Sequence, residues 1–85
     1  LLGTNLENAN LSGANLSGLR LMNVNLENAN LSGTDLSYVN FRGANLLGTN
    51  LANADLTGVD LKNINLENVD LTGTILKCIN HSICD

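Results

Sequence analysis

The chain has 85 residues, is 44% hydrophobic, contains no proline or tryptophan, and carries a net charge of −4. That length allows one domain at most, and a compact globule of this size would be marginal. The mild acidity argues against direct electrostatic binding to nucleic acid, and no apolar run is long enough for a membrane-spanning helix.

From Leu1 to Leu76 a leucine recurs every five residues, with Phe41 the one replacement. The residue before each of these centres is Asn or Asp, except Arg20 and Ile75. Two before the centre stands a small or β-branched residue, with Leu19 the one larger side chain. Two after it stands Gly or Asn in nearly every pentad, with Tyr38 and Cys78 the departures. The pattern is already in progress at Leu1, which reads as a processed form or a piece of a larger protein.

An α-helix cannot use this spacing, because five residues turn it by about 140° and would scatter the leucines around all sides. A flat strand cannot use it either, because an odd spacing alternates faces. Gly and Asn at every fifth position tolerate φ > 0 and turns. The remaining solution is a chain that bends once per pentad and points every centre inward.

A second period sets how far the chain travels before it repeats. The stretch NLENANLSG at Asn5–Gly13 returns unchanged at Asn25–Gly33. Sorted in steps of twenty, positions share character: Leu19, Val39, Val59 and Ile79 are large, whereas Ala14, Thr34, Ala54 and Thr74 are small. Residues twenty apart therefore share an environment, as they would if coils were stacked, and four pentads make one coil. Stacked strands sit about 4.7–4.9 Å apart, so the expected rod is only about 20 Å long. Asn5, Asn25, Asn45 and Asn65 are expected to form an amide ladder, each side chain bonding its neighbours above and below.

These consecutive (A/V/T)(N/D)L(x)(G/N) pentads resemble the pentapeptide repeat family from Leu1 to about Lys77. The resemblance implies an all-β fold, a right-handed quadrilateral β-helix of about four coils, with the centre and the residue two before it facing inward. Residues 1–77 are then the β-helix, and 78–85 its C-terminal end or the start of a cap. The family is common in photosynthetic bacteria and chloroplasts. The compartment stays open among the cytoplasm, the thylakoid lumen and the periplasm, with the cytoplasm slightly favoured.

Candidate chemistry is sparse. One His and no carboxylate in an apolar surround leave no catalytic constellation, and a filled leucine core leaves no cavity. The expectation is a non-enzyme without cofactor or metal. The leading function is a structural scaffold that binds a protein partner, with end-to-end or homodimeric association open to it through its coil ends. The contact patch is placed on the outward column Leu2, Met22, Arg42 and Lys62, together with Tyr38 and Leu47, since exposed apolar, Arg and Tyr residues favour interfaces.

The alternative is charge mimicry of DNA. The resemblance extends to quinolone-resistance members that bind DNA gyrase, and Glu7, Glu27 and Glu67 form an acidic column here. Duplex DNA carries a charge per about 1.7 Å, so a rod of about 20 Å would need on the order of twelve. This chain has eight acidic against four basic residues. A hydroxyl face of Ser12, Ser32 and Thr72 raises ice binding as a lesser reading, weakened by Ala52. At the C-terminus, Cys78, His81 and Cys84 allow two free thiols, a cap disulfide, or a zinc site with Asp85, in that order.

Overall fold

In the computed structural model, which describes all residues from Leu1 to Asp85, there is no helix. From Leu1 to Leu71 every pentad closes the same turn: the N–H three residues after the centre donates to the carbonyl of the centre, as in Ala29 to Leu26 at 2.9 Å. The residue two after the centre has φ near +60° to +74° in every one of these turns. A four-residue turn with φ > 0 at its third position is type II. Gly and Asn occupy these slots because a Cβ of ordinary shape is disfavoured there.

Between turns, residues twenty apart pair in parallel, as in Asn5 with Asn25, Asn25 with Asn45, and Asp35 with Asp55. Each pairing carries bonds in both directions, for example Leu26 N–H to Asn45 O at 2.8 Å and Asn45 N–H to Val24 O at 3.0 Å. Leu26 thus pairs one register step above Leu6, whose own N–H donates to Asn25 O at 2.7 Å. The twenty-residue period of the sequence is the stacking period of the backbone.

Burial follows the same register. In the middle of the stack the centres Leu26, Leu31, Leu36, Phe41, Leu46, Leu51 and Leu56 are buried. So are Val24, Ala29, Thr34, Val39, Thr49 and Ala54, each two residues before a centre. The two buried hydroxyls are satisfied by backbone carbonyls, Thr34 by Leu31 at 2.6 Å and Thr49 by Leu26 at 3.0 Å. Leu19 and Ile79 share a column with fully covered Val39 and Val59, yet are 38% and 51% exposed. They lie near the two ends of the stack, where a neighbouring coil is lacking on one side.

The expected Asn ladder is not what the structure contains. In every pentad entered by Asn or Asp, the side-chain Oδ1 turns back and accepts the N–H two residues on, as in Glu7 to Asn5 and Glu27 to Asn25, both 3.0 Å. The side chain satisfies a turn N–H that would otherwise face solvent. Aspartate serves equally because only an acceptor is needed, which explains the free exchange of Asn and Asp at this position. Contact between levels is occasional: Asn45 Nδ2 donates to Glu27 Oε1 at 3.1 Å.

The terminal segment breaks register. Asp60 pairs with Ile79 rather than with Asn80, one residue short of the twenty-residue step. Asn80 takes up a positive φ of 65° in place of Cys78. Cys78 and Cys84 are joined in a disulfide with S–S 2.08 Å. Neither is therefore a free thiol or a thiolate donor for zinc, which corrects the first and third of the three sequence readings and leaves the cap disulfide. Cys78 is buried, Ile83 and Cys84 pack against the core, and the Asp85 N–H donates to Leu76 O at 2.8 Å.

Candidate functional site

The ladder is interrupted on one face. Between the levels holding residues 19–26 and 39–46, five backbone bonds are made: Leu21 to Asn40, Asn23 to Arg42, Leu26 to Asn45, Asn40 to Leu19, and Asn45 to Val24. One level higher, the five equivalent bonds between 39–46 and 59–66 are all missing. The N–H groups of Phe41, Gly43 and Leu46 have no acceptor, nor do those of Asp60 and Asn65. The opening is bounded by closed pairs, Tyr38 N–H to Thr57 O at 2.8 Å and Gly48 N–H to Glu67 O at 3.0 Å.

An open groove of about 560 Å³ lies at this breach, with Tyr38, Asn40, Arg42, Asp60, Lys62 and Asn63 on its walls. Three features of the sequence converge on it. Phe41 is fully buried where its column-mates Leu21 and Leu61 are smaller, and added volume in a packed layer pushes its neighbours apart. Tyr38 stands in a slot otherwise held by Gly and Asn, and its ring lies where a Cβ on Gly58 would fall. The third feature is the shortened terminal pairing. Leu61 N–H donates to Ile79 O at 3.0 Å, so the upper lip is tied to a segment that has slipped by one residue.

Tyr38 is the one residue other than Asn or Gly with a positive φ, at 60°. Its side chain is 69% exposed. A bulky residue in this conformation costs on the order of 1–2 kcal/mol, and such strain gathers at functional sites. Tyr38→Asn is expected to raise stability by about 1 kcal/mol in chemical denaturation, because Asn visits the same conformation readily. Unchanged or lower stability would mean that the ring's packing on Gly58 outweighs the strain.

The charges of the groove are mixed. Arg42 and Lys62 are exposed and one coil apart in the same column. Asp60 sits on the upper lip, where its Oδ1 accepts from Asn80 Nδ2 at 3.0 Å and from the Lys62 N–H at 2.9 Å. The Asn80 hydrogen bond, then the Lys62 N–H and the Lys62 charge, hold its carboxyl below the ordinary aspartate value. Asp35 is lowered likewise by the Ser37 hydroxyl and N–H, but lies outside the groove.

The groove takes in part of the contact patch expected from sequence. Tyr38, Arg42 and Lys62 meet there. Leu2 and Met22 lie lower in the same column, Leu2 exposed and Met22 half-buried. Leu47 lies across the turn at residues 43–44 and is half-buried, so it does not join them. Sequence reasoning missed Asp60 and the open backbone groups of Phe41 and Gly43. The signal available was the occurrence of Tyr38 and Phe41 in consecutive pentads.

A second opening lies at the N-terminal end, a cavity of about 200 Å³ walled only by leucines, among them Leu1, Leu6, Leu11 and Leu16. It is the uncovered end of the core. No group of three His, Cys, Asp or Glu side chains is placed to hold a metal ion, and no helix is long and apolar enough to cross a membrane.

A family model for pentapeptide repeats matches residues 1–37, 25–63 and 34–73, with eight copies. The chain belongs to the pentapeptide repeat family. It is similar to the crystal structure of alr5209, a pentapeptide repeat protein from Nostoc PCC 7120, with TM-score 0.80 and 34% identity over 82% of this chain and 58% of that one. HetL, a pentapeptide repeat protein involved in heterocyst differentiation regulation in the same cyanobacterium, gives TM-score 0.56 and 31% identity over 93% of this chain and 39% of that one. QnrB1, a plasmid-mediated fluoroquinolone resistance protein, gives TM-score 0.80 at 19% identity, over 92% of this chain and 44% of that one; a likeness at this identity is one of fold alone. The chain spans less than two thirds of the length of these three structures. No curated protein matches the sequence. As a pentapeptide repeat protein, the chain is a β-helix solenoid.

Proposed function

We propose that this pentapeptide repeat protein is a non-enzymatic scaffold whose outer surface docks a protein partner. Its solenoid is read as a right-handed, four-sided β-helix of about four coils over residues 1–77, with residues 78–85 as a cap. Parallel pairing at twenty-residue steps, with one turn in each five residues, supports four sides. The observation that carries the docking reading is the strained, exposed Tyr38 beside Arg42 and Lys62. Aromatic and Arg side chains are favoured anchors at interfaces, and a Tyr held at a conformational cost is poorly explained by folding alone.

The gyrase-mimic reading draws little support from charge. Of its acidic column, Glu27 is engaged by Asn45 at 3.1 Å, and Arg42 and Lys62 interrupt the negative surface. Capture of a partner from extract should fall when Met22, Tyr38 and Arg42 are together replaced by Ser in protein that still unfolds cooperatively. Unchanged capture would remove the patch from the interface. Inhibition of gyrase supercoiling, lost on changing Glu7, Glu27 and Glu67 to Gln, would favour mimicry instead.

A further inference from the structure

We infer that the Cys78–Cys84 disulfide is a redox switch that sets the register of the last strand against residues 59–61. The bond holds that strand one residue out of step, and its reduction lets the strand return to the twenty-residue register. The upper lip of the groove changes partner as it does so, a consequence that bears on docking only through the scaffold reading above.

Both registers are written in the chain. In steps of twenty, Ile79 belongs with Leu19, Val39 and Val59, and Asn80 with Arg20, Asn40 and Asp60. Val39 and Val59 are buried, whereas Asp60 is exposed. Cys78 belongs with Gly18, Tyr38 and Gly58, the slot of positive φ. The structure shows all three displaced by one place. Ile79 pairs with Asp60, so its side chain turns outward and is 51% exposed. Cys78 takes the inward place and is buried. The Ile79 N–H donates to Val59 O at 2.9 Å, and the Asn80 N–H has no backbone acceptor. A one-residue slip of this kind moves each side chain to the opposite face.

The slipped register is the one in which the disulfide forms. Cys84 packs against the core, and the inward place brings Cys78 to it. The in-register slot would carry Cys78 outward, as it does Tyr38. Without the bond, two effects compete. Return to register covers Ile79 over Val59, which is favourable in proportion to the apolar area removed from water. It also places a cysteine at positive φ, which is unfavourable, although Tyr38 holds the same conformation at 60°. The turn made from Leu1 to Leu71 then closes once more, with the Ile79 N–H on Leu76 O. In the oxidised form that carbonyl accepts from the Asp85 N–H at 2.8 Å.

The reductant is a dithiol. Cys84 is half-buried and Cys78 buried, so the dithiol's thiolate attacks Cys84 Sγ. The S–S bond breaks toward Cys78, which leaves as a thiolate and takes a proton. The second thiol of the reductant then attacks the mixed disulfide, closes its own disulfide and releases Cys84 as a thiol. Two electrons and two protons pass to the protein, and the dithiol is oxidised.

The test compares the 85-residue chain with and without dithiothreitol, by amide hydrogen exchange and methyl NOEs. After reduction the Asn80 N–H should exchange at least about tenfold more slowly, and NOEs between the Ile79 and Val59 methyl groups should appear. Cys84→Ala should give both signs without reductant. Cys78→Gly, which has no disulfide and suits the positive-φ slot, should give them in either condition. An Asn80 amide left unprotected by reduction and in Cys78→Gly would overturn the switch, whether Ile79 keeps its pairing with Asp60 or the segment frays. Failure of partner capture in both redox states would count against the scaffold reading alone, because these readouts need no partner.

Discussion

Leu36→Ala should cost about 2–5 kcal/mol in urea unfolding, the range for deleting a fully buried leucine side chain. Leu36 is completely buried, and its N–H donates to Asp55 O while Leu16 donates to Asp35 O, so its level is covered on both sides. Whole domains are commonly stable by about 5–15 kcal/mol, so this one change could remove a third or more of the total. The same truncation at Leu16, which is half-buried at the open end, should cost clearly less. Both would be compared by midpoint and slope, since repeat proteins can lose two-state behaviour when one level is weakened. A loss at Leu36 no greater than at Leu16 would mean that the stack closes around the missing side chain.

Reduction of the Cys78–Cys84 disulfide should cost about 2 kcal/mol, the chain-entropy value for so short a loop. The bond has a sequence separation of 6 and anchors a segment whose Ile83 and Cys84 pack on the core. The loss should be local at first. Hydrogen exchange is expected to quicken at Leu61 and Ile79, whose N–H groups bond Ile79 and Val59, before it quickens in the interior of the stack. Stability with and without reductant measures the effect, and Cys84→Ala should show no difference between the two conditions. Equal stability of oxidised and reduced protein would mean that apolar contacts alone hold the terminal segment in place. Because Asn80 donates to Asp60 at 3.0 Å, reduction should also disturb the upper lip of the groove.

Much of this architecture is legible in the chain before any coordinates. Leucine at every fifth position has no helix or flat strand to serve, so the inward row from Leu21 to Leu61 follows from spacing alone. The columns in steps of twenty anticipate the pairs Asn5 with Asn25 and Asp35 with Asp55, because stacked side chains must share volume. The Gly and Asn slots anticipate positive φ. The Asn before each leucine shows where such reading falters. Asn-rich columns suggest vertical ladders, but the nearest donor to each Oδ1 is the N–H two residues on, and the short bond wins.

The groove is of another kind. Phe41 for Leu and Tyr38 for Gly are single departures in consecutive pentads, and neither breaks the five-residue pattern. Their effect depends on what lies one coil above: Leu61 over Phe41, Gly58 over Tyr38, and the slipped pairing of Asp60 with Ile79 beyond them. Repetition by itself determined the path of the backbone and the identity of the core, because a uniform period leaves the chain one way to bury its leucines. Where the ladder opens, and which charges border the opening, was decided only in three dimensions, because a vertical misfit is shared between residues twenty apart and is written at neither.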